Sequence, residues 1–391
     1  MRRSVLAIGL VSLFTDLSSE MIYPLLPVFM ATVLGAGALQ LGVVEGVAEG
    51  IASLLKVFSG VLSDRMHQRK RLMVWGYSIS SAVKPLMALA GAWPMVLLLR
   101  FLDRVGKGIR SSPRDALMSD IVPRQHWGSA FGFHRAMDNA GAVVGPLVAA
   151  ALLTWGGLGL RDVFALAAVP SLLVVLLVVF GVQDPPPAST PARPKESLRE
   201  GWHRMGTPYK RLLLAILVFT LGAASEAFLL LQLSRAGIPP AGVAALWAGH
   251  NAIRSGISYW GGWLSDKLGR KRLVAAGWLV FMGVFATFPL VSQPWALSGL
   301  FLLYGVFFGL TEATQRAWVS DLVGADLRGT AFGYYHGAIG LATLPASLLF
   351  GFLHQQISPH AAFFTSVALA GLALLLLLRV PHQGGGQSPP L

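Results

Sequence analysis

The sequence predicts an all-α integral membrane protein of twelve transmembrane helices, arranged as two pseudosymmetric six-helix bundles. Three observations carry that expectation. Of the 391 residues, 54% are hydrophobic and 13% charged, with a mean hydropathy of +0.62. Soluble domains carry about a quarter charged residues, so lipid is the solvent for most of this chain. Apolar stretches of roughly 20 residues, enough at 1.5 Å rise to cross about 30 Å of hydrocarbon, recur twelve times. The polar motifs between them also recur, at a shift of about 200 residues.

The expected spans of the first half lie near 4–34, 40–63, 72–91, 94–120, 127–156 and 161–181. Those of the second lie near 210–233, 240–264, 272–291, 294–321, 326–352 and 360–380. The first run, after Arg2-Arg3, has the outline of a signal peptide. It continues through Asp16 and Glu20 to Pro27 with no small-residue cleavage pattern, and so reads as a span. From Asp184 to Tyr209, Pro185-Pro186-Pro187, Pro191 and Pro194 stand among charged residues. That segment reads as an extended linker ending in a short surface helix around 198–205. The tail from His382, with Gly384-Gly385-Gly386 and Pro389-Pro390, reads as disordered. The expected domains are an N-terminal bundle at 1–181, a linker at 182–209, a C-terminal bundle at 210–381 and a tail at 382–391.

The formal charge of +13 is distributed as a topology signal. Arg2 and Arg3, then Arg65, Arg69, Lys70 and Arg71, Arg114 and Arg124, the linker bases, and Lys267, Arg270, Lys271 and Arg272 all fall on one side of a twelve-span layout. The opposite loops offer little beyond Arg161 and Arg235. The positive-inside rule then places both termini and the linker in the cytoplasm of a multi-pass inner (plasma) membrane protein. No basic groove interleaved with aromatics exists, so no nucleic-acid partner is expected. The absence of cysteine excludes disulfides, thiolate metal sites and cysteine nucleophiles. His134 has no second histidine at ligand spacing, so neither a metal site nor a cofactor is expected. No G-x-x-x-x-G-K-[ST] loop, G-x-S-x-G elbow or H-E-x-x-H helix occurs, which argues against an ATP-driven pump and against an enzyme.

The repeat is specific. Gly60-Val-Leu-Ser-Asp64 returns as Gly262-Trp-Leu-Ser-Asp266, and Arg69-Lys70-Arg71-Leu72 as Arg270-Lys271-Arg272-Leu273. Ser119-Asp120 matches Ser320-Asp321, Gly128-Ser-Ala-Phe-Gly132 matches Gly329-Thr-Ala-Phe-Gly333, and Ser19-Glu20 more weakly matches Ser225-Glu226. Such a repeat predicts two parallel bundles with a small-molecule path between them at mid-membrane. Glycines at 60 and 262 allow close helix approach. Asp64 and Asp266 sit at helix ends, where loop arginines can hold them, and Asp120 and Asp321 are placed to accept the same arginines.

On these motifs the chain resembles the major facilitator superfamily, over nearly its whole length. Gly60 to Arg71 fit that family's G-x-L-x-D-R-x-G-R-R/K loop, except that His67-Gln68 replaces the glycine; the copy from Gly262 to Arg272 keeps Gly269. The resemblance implies that Gly60, Asp64, Arg69, Arg71 and Asp120, with Gly262, Asp266, Arg270, Arg272 and Asp321, latch the outward-facing state. Three further segments are similar to those of twelve-span drug/proton antiporters. Asp16 precedes Pro24-Leu-Leu-Pro27. Arg100-Phe-Leu-Asp103-Arg104-Val-Gly106 looks like their R-x-x-Q-G-x-G segment, with Asp and Arg standing for Gln and Gly. Gly141-Ala-Val-Val-Gly145-Pro146 is similar to their span-five motif, with alanines for its last two glycines. Gly141 and Gly145 are expected to press span five on a partner helix, and Pro146 to bend it.

The resemblance implies a secondary active transporter working by alternating access, without a cofactor and as a monomer, exporting small organic compounds or drugs in exchange for protons. Coupled uptake or exchange of a small anion is the alternative, suggested by Lys56, Lys84, Arg100, Arg104 and Lys107. A non-transporting receptor on the same fold is a further one.

An ionisable side chain at the bilayer centre costs several kcal/mol, so each needs a partner, water or a task. Desolvation favours the protonated carboxyl and a nearby guanidinium the ionised one, so making or breaking such a pair moves protons. Asp16, Glu20, Glu49 and Glu226 are the expected proton carriers, modulated by Arg100 and Asp103. Lys84, Arg104, Asp138, Asn139, Trp247, His250, Asn251, Arg254, Glu312 and His336 are the expected cavity residues. A static ion-pair network binding spans one, two, four and five is the competing reading.

Overall fold

The computed structural model describes residues 2–66, 69–123, 126–183, 198–324 and 327–381. Most of the expected linker, and the tail from His382, lie outside the described residues. Among the described residues every regular element is helical. The helices form twelve spans, numbered in chain order. Spans 1 to 6 are Ser4–Thr32, Ala38–Met66, Arg69–Ala88, Trp93–Ile121, Trp127–Thr154 and Leu160–Gly181. Spans 7 to 12 are Thr207–Arg235, Pro240–Leu268, Arg270–Leu290, Pro294–Asp321, Arg328–Gln356 and Pro359–Leu378. Eight of these satisfy a simple length-and-hydropathy criterion for crossing a membrane. The other four, spans 2, 3, 4 and 8, carry many of the ionisable residues, among them the buried Glu45, Lys84, Arg100, Arg104 and Arg110.

The packing is twofold. Span 1 lies on span 5 and span 7 on span 11; span 3 on span 4 and span 9 on span 10; span 2 on span 4 and span 8 on span 10. The halves meet through the symmetric pairs 2 with 11 and 8 with 5. An even number of crossings brings both ends of the chain to one face, called here the terminal face.

Spans 1 and 7 are interrupted at equivalent depths. In span 1, Pro24 and Pro27 withhold two backbone donors, and a 3-10 turn at Tyr23–Leu25 joins Arg2–Ile22 to Leu26–Thr32. In span 7 the helix Thr207–Gly222 stops at Ala223, whose φ/ψ of −90/87 is not helical, and resumes at Ala227. Glu20 and Glu226 flank these interruptions.

Span ends differ from the hydropathy reading by up to four residues, as at Leu268 against 264 and Gln356 against 352. Span 7 begins at Thr207 instead of 210, because Tyr209 is buried and donates its hydroxyl to the Ala331 carbonyl at 2.8 Å. The short helix Leu198–Arg204, expected at the surface, is docked on span 11: the Trp202 ring meets Tyr334 edge-on at 5.1 Å, and a Cβ on Gly201 would stand 2.7 Å from Thr330.

The seam between spans 2 and 11 is a wedge. A Cβ on Gly42 would stand 2.4 Å from the Ser347 carbonyl, one on Gly46 2.9 Å from Leu344, and one on Gly50 3.5 Å from the Gly340 carbonyl. Glycine every fourth residue lets the backbones touch far from the terminal face, and the gap grows toward it. The Leu39 amide, donating to Gln355 Oε1 at 2.8 Å, closes the narrow end.

Candidate functional site

Spans 2 and 4 run parallel, and their charges pair in register. Glu45 and Glu49, four apart on span 2, meet Arg100 and Arg104, four apart on span 4, at 2.8 and 2.7 Å. The Glu45–Arg100 rung is buried, with the side chains 1% and 7% exposed; Glu49 of the second rung is 43% exposed, in the widening part of the cleft. Ser225 of the opposite half donates to Glu45 at 3.4 Å, and the Arg100 guanidinium lies 5.3 Å from the Tyr23 ring centroid.

Lys84, deep in span 3, donates to Ser19 at 2.8 Å and Ser18 at 3.2 Å on span 1. Beside it Ser19, Tyr23, Arg100 and Asp103 line a void of ≈ 20 Å³, room for a water molecule or two. Asp103 is surrounded by Lys84, Arg104, Arg100 and Arg110.

The span 5 glycines set the position of span 1. A Cβ on Gly141 would fall 2.4 Å from the Leu13 carbonyl and 3.0 Å from Asp16 Cβ; one on Gly145 would fall 2.5 Å from the Leu17 carbonyl and 3.1 Å from Glu20 Cβ. Pro146 lies inside the span 5 helix, one residue on. Both acids are therefore held where span 5 presses hardest. Asp16 stands in the field of Asp138, Lys107, Glu20 and Arg110. His134 ties the same two helices, with Nε2 2.6 Å from Ser12 Oγ and Nδ1 3.8 Å from Asp138.

Glu20 crosses to the other half: Trp247 of span 8 donates Nε1–H to its carboxylate at 2.6 Å, and Tyr23 lies 5.1 Å from the same indole. Asn251 also crosses, donating to the Ala142 carbonyl at 3.1 Å. His250 is fully buried, stacked on Trp247 at 5.2 Å with Nδ1 3.3 Å from the Phe301 carbonyl, so it stands behind the cleft wall. Asn139 is half-buried on span 5, and His336 packs between Phe332 and Tyr335 on span 11. Glu226 faces Arg254, Glu49 and Glu45. In the second half, Arg254 donates to Glu312 at 2.6 and 3.2 Å, and Arg316 donates to the same carboxylate.

The second loop motif forms a closed set: Arg270 meets Asp266 at 2.6 Å and Asp321 at 3.0 Å, and also donates to Ser265. Arg272 is exposed beside it. Of the first copy, the side chains of Asp64 and Asp120, with Gly60, lie outside the described residues, as does Gly262 of the second; Arg69 and Arg71 open span 3. The middle lysine of each copy has a task the sequence reading missed. Lys70 donates to the Val179 carbonyl at 2.7 Å, and Lys271 to those of Leu378 and Val380 at 2.6 and 2.8 Å, so each caps the end of the sixth span of its half. Glu45, Arg135, Arg316 and the stripe Gly42-Gly46-Gly50 also lay outside the expected site. The four-residue spacing of those glycines was the signal available for the stripe.

Two bundles related by a twofold, interrupted helices at their interface and a charged cleft open to one face together define a membrane transporter. The profile of the Major Facilitator Superfamily matches residues 8–249 and 236–390, and the chain belongs to that family. It is 35% identical to an uncharacterised MFS-type transporter of Methanocaldococcus jannaschii, over 96% of this chain and 94% of the other. It is 27% identical to the multidrug resistance protein MdtH of Cronobacter sakazakii, over 82% and 80% of the two chains. Among solved structures, that of the nucleoside transporter NupG is similar in fold, with a TM-score of 0.77 at 14% identity, covering 96% of this chain and 98% of the other.

Proposed function

We propose that this chain is a proton-coupled exporter of small organic compounds in the inner membrane, working as a monomer by alternating access. The observation that carries the reading is the bond between Glu20 and Trp247 at 2.6 Å. It joins a membrane carboxylate of one half to an indole of the other on the closed side of the cleft. Opening that side must break it, which ties the protonation of Glu20 to the position of the bundles. Asp16, held by Gly141, and Glu226, at the span 7 interruption, are the companion carriers. Glu49, Arg100 and Asp103 set the charge around them, and the pairs about Arg270, formed here within the second half, brace spans 8, 9 and 10 as that half moves.

The positive-inside distribution of Lys and Arg makes the terminal face cytoplasmic, so the wedge of spans 2 and 11 describes an inward-facing state. The similarity to a multidrug resistance protein supports export of organic solutes.

Everted membrane vesicles test the reading with a fluorescent panel that includes ethidium and carboxyfluorescein. An acidic lumen is expected to drive accumulation of at least one probe. Glu20→Gln should abolish the pH-driven accumulation while leaving downhill exchange. Fluxes indifferent to the pH gradient in wild type overturn the coupling.

A further inference from the structure

On the open side of the cleft one carboxylate is asked to serve three arginines. Arg254 Nε and Nη2 both donate to Glu312 Oε2, at 3.2 and 2.6 Å. Arg316, one turn along span 10, donates to Oε1. Arg135, from span 5 of the opposite half, reaches the same Oε1 at 3.5 Å. Among the described residues, the other carboxylate in ionic contact with any of the three is Asp138, 3.7 Å from Arg135. Among the described residues, three guanidiniums share two carboxylates, so the contacting groups carry one positive charge in excess. Glu226 and Glu20 act on Arg254 from farther away.

These groups are also accessible. The Arg135 side chain is 56% exposed, that of Arg316 39% and that of Arg254 31%. Among the described residues, the ionic contacts of Arg135 are longer than an ordinary charge-assisted hydrogen bond of about 2.7–2.9 Å. A static ion-pair lock would close such distances and exclude water. What stands here is a set of planar donor forks, drawn from both halves, aimed at one carboxylate and under-filled.

Resting on the transport reading above, we infer that the Arg135–Arg254–Arg316 cluster binds the anionic group of the transported solute, a carboxylate, sulfonate or phosphate on an organic body. The anion competes with Glu312 for these three guanidiniums. Because Arg135 belongs to one half and Arg254 and Arg316 to the other, the bound anion draws the halves together on the terminal side. Exchange of an outgoing monoanion for an incoming proton carries positive charge inward, so an inside-negative potential assists export.

The test reconstitutes the full chain in vesicles and compares carboxyfluorescein, an organic anion, with ethidium, a flat cation of similar size. Saturable carboxyfluorescein flux is expected, with kcat/KM lowered at least about tenfold in Arg254→Ala and in Arg316→Ala. Glu312→Gln removes the internal competitor and should lower KM for carboxyfluorescein. Should the Arg254 and Arg316 variants fail to fold, Arg135→Ala replaces an exposed side chain, and the loss of carboxyfluorescein-induced thermal stabilisation in that variant supports the same assignment. Ethidium carried and carboxyfluorescein refused overturns the anion assignment and leaves the exporter standing. Carboxyfluorescein flux that depends on the arginines but ignores the pH gradient supports the assignment and removes the coupling. If neither probe is carried and neither raises the melting temperature, the assignment is overturned along with the exporter.

Discussion

Each of two arginines on span 4 is matched by a glutamate on span 2, yet the rungs differ in what surrounds them. Glu45 and Arg100 are both shut away from solvent, whereas Glu49 is nearly half exposed. Removing one member of a buried pair strands its partner and costs about 3–5 kcal/mol, and the cost falls where water reaches the partner left behind. Arg100→Ala leaves Glu45 buried and Arg104→Ala leaves Glu49 in reach of water, so Arg100→Ala should lower the melting temperature of the detergent-purified protein more than Arg104→Ala. Equal losses would show that the cleft does not reach Glu49. Lys70 and Lys271 offer a second comparison at this scale, because each caps the carbonyl end of a span. Alanine at either should cost about 0.3–1 kcal/mol, and by a similar amount in both halves. The role of these lysines was hidden in the sequence, where a basic loop is already explained by topology. The charges themselves were legible, since an ionisable residue inside an apolar run stands out. Their pairings were not: Arg100 and Glu45 are 55 residues apart, and only the packing of span 2 on span 4 joins them.

At the scale of elements, the twelve spans and their twofold could be read from apolar runs and from the repeated loop motif, because both are local patterns of the chain. The interruption of span 1 was foreshadowed by Pro24 and Pro27. That of span 7 had a fainter sign, the single Gly222 on which its first helix ends. The glycine seam of span 2 escaped, because four-residue glycine spacing has no partner until span 11 is placed beside it. The wedge makes a strong expectation. Gly46→Leu puts a branched side chain where a single Cβ already stands 2.9 Å from Leu344. It should keep the narrow end from closing and shift the population toward the opposite opening. The chain has no native cysteine, so spin labels on introduced cysteines at 39 and 355 can read the seam without background. A longer label separation in the Gly46→Leu variant than in the parent is the expected result; an unchanged separation would mean that the seam does not control closure.

For the whole molecule, the proposed cycle has two bundles exchange which end of the cleft is sealed. The seal seen here is made by backbone contact between spans 2 and 11 and by polar bonds of Glu20, Asn251 and Leu39 across the halves. Membership of the family was legible from the doubled loop motif. The solute was not, because the arginines that would recognise it come from spans 5, 8 and 10 and converge only in three dimensions. The most direct test fixes the seal shut. Ala38→Cys with Gly351→Cys pairs two positions whose backbones already touch, a Cβ on Gly351 standing 2.8 Å from the Ala38 carbonyl. Oxidation of this pair should stop solute flux in reconstituted vesicles, and reduction should restore it. Undiminished flux through fully cross-linked protein would contradict the rocking of the two halves.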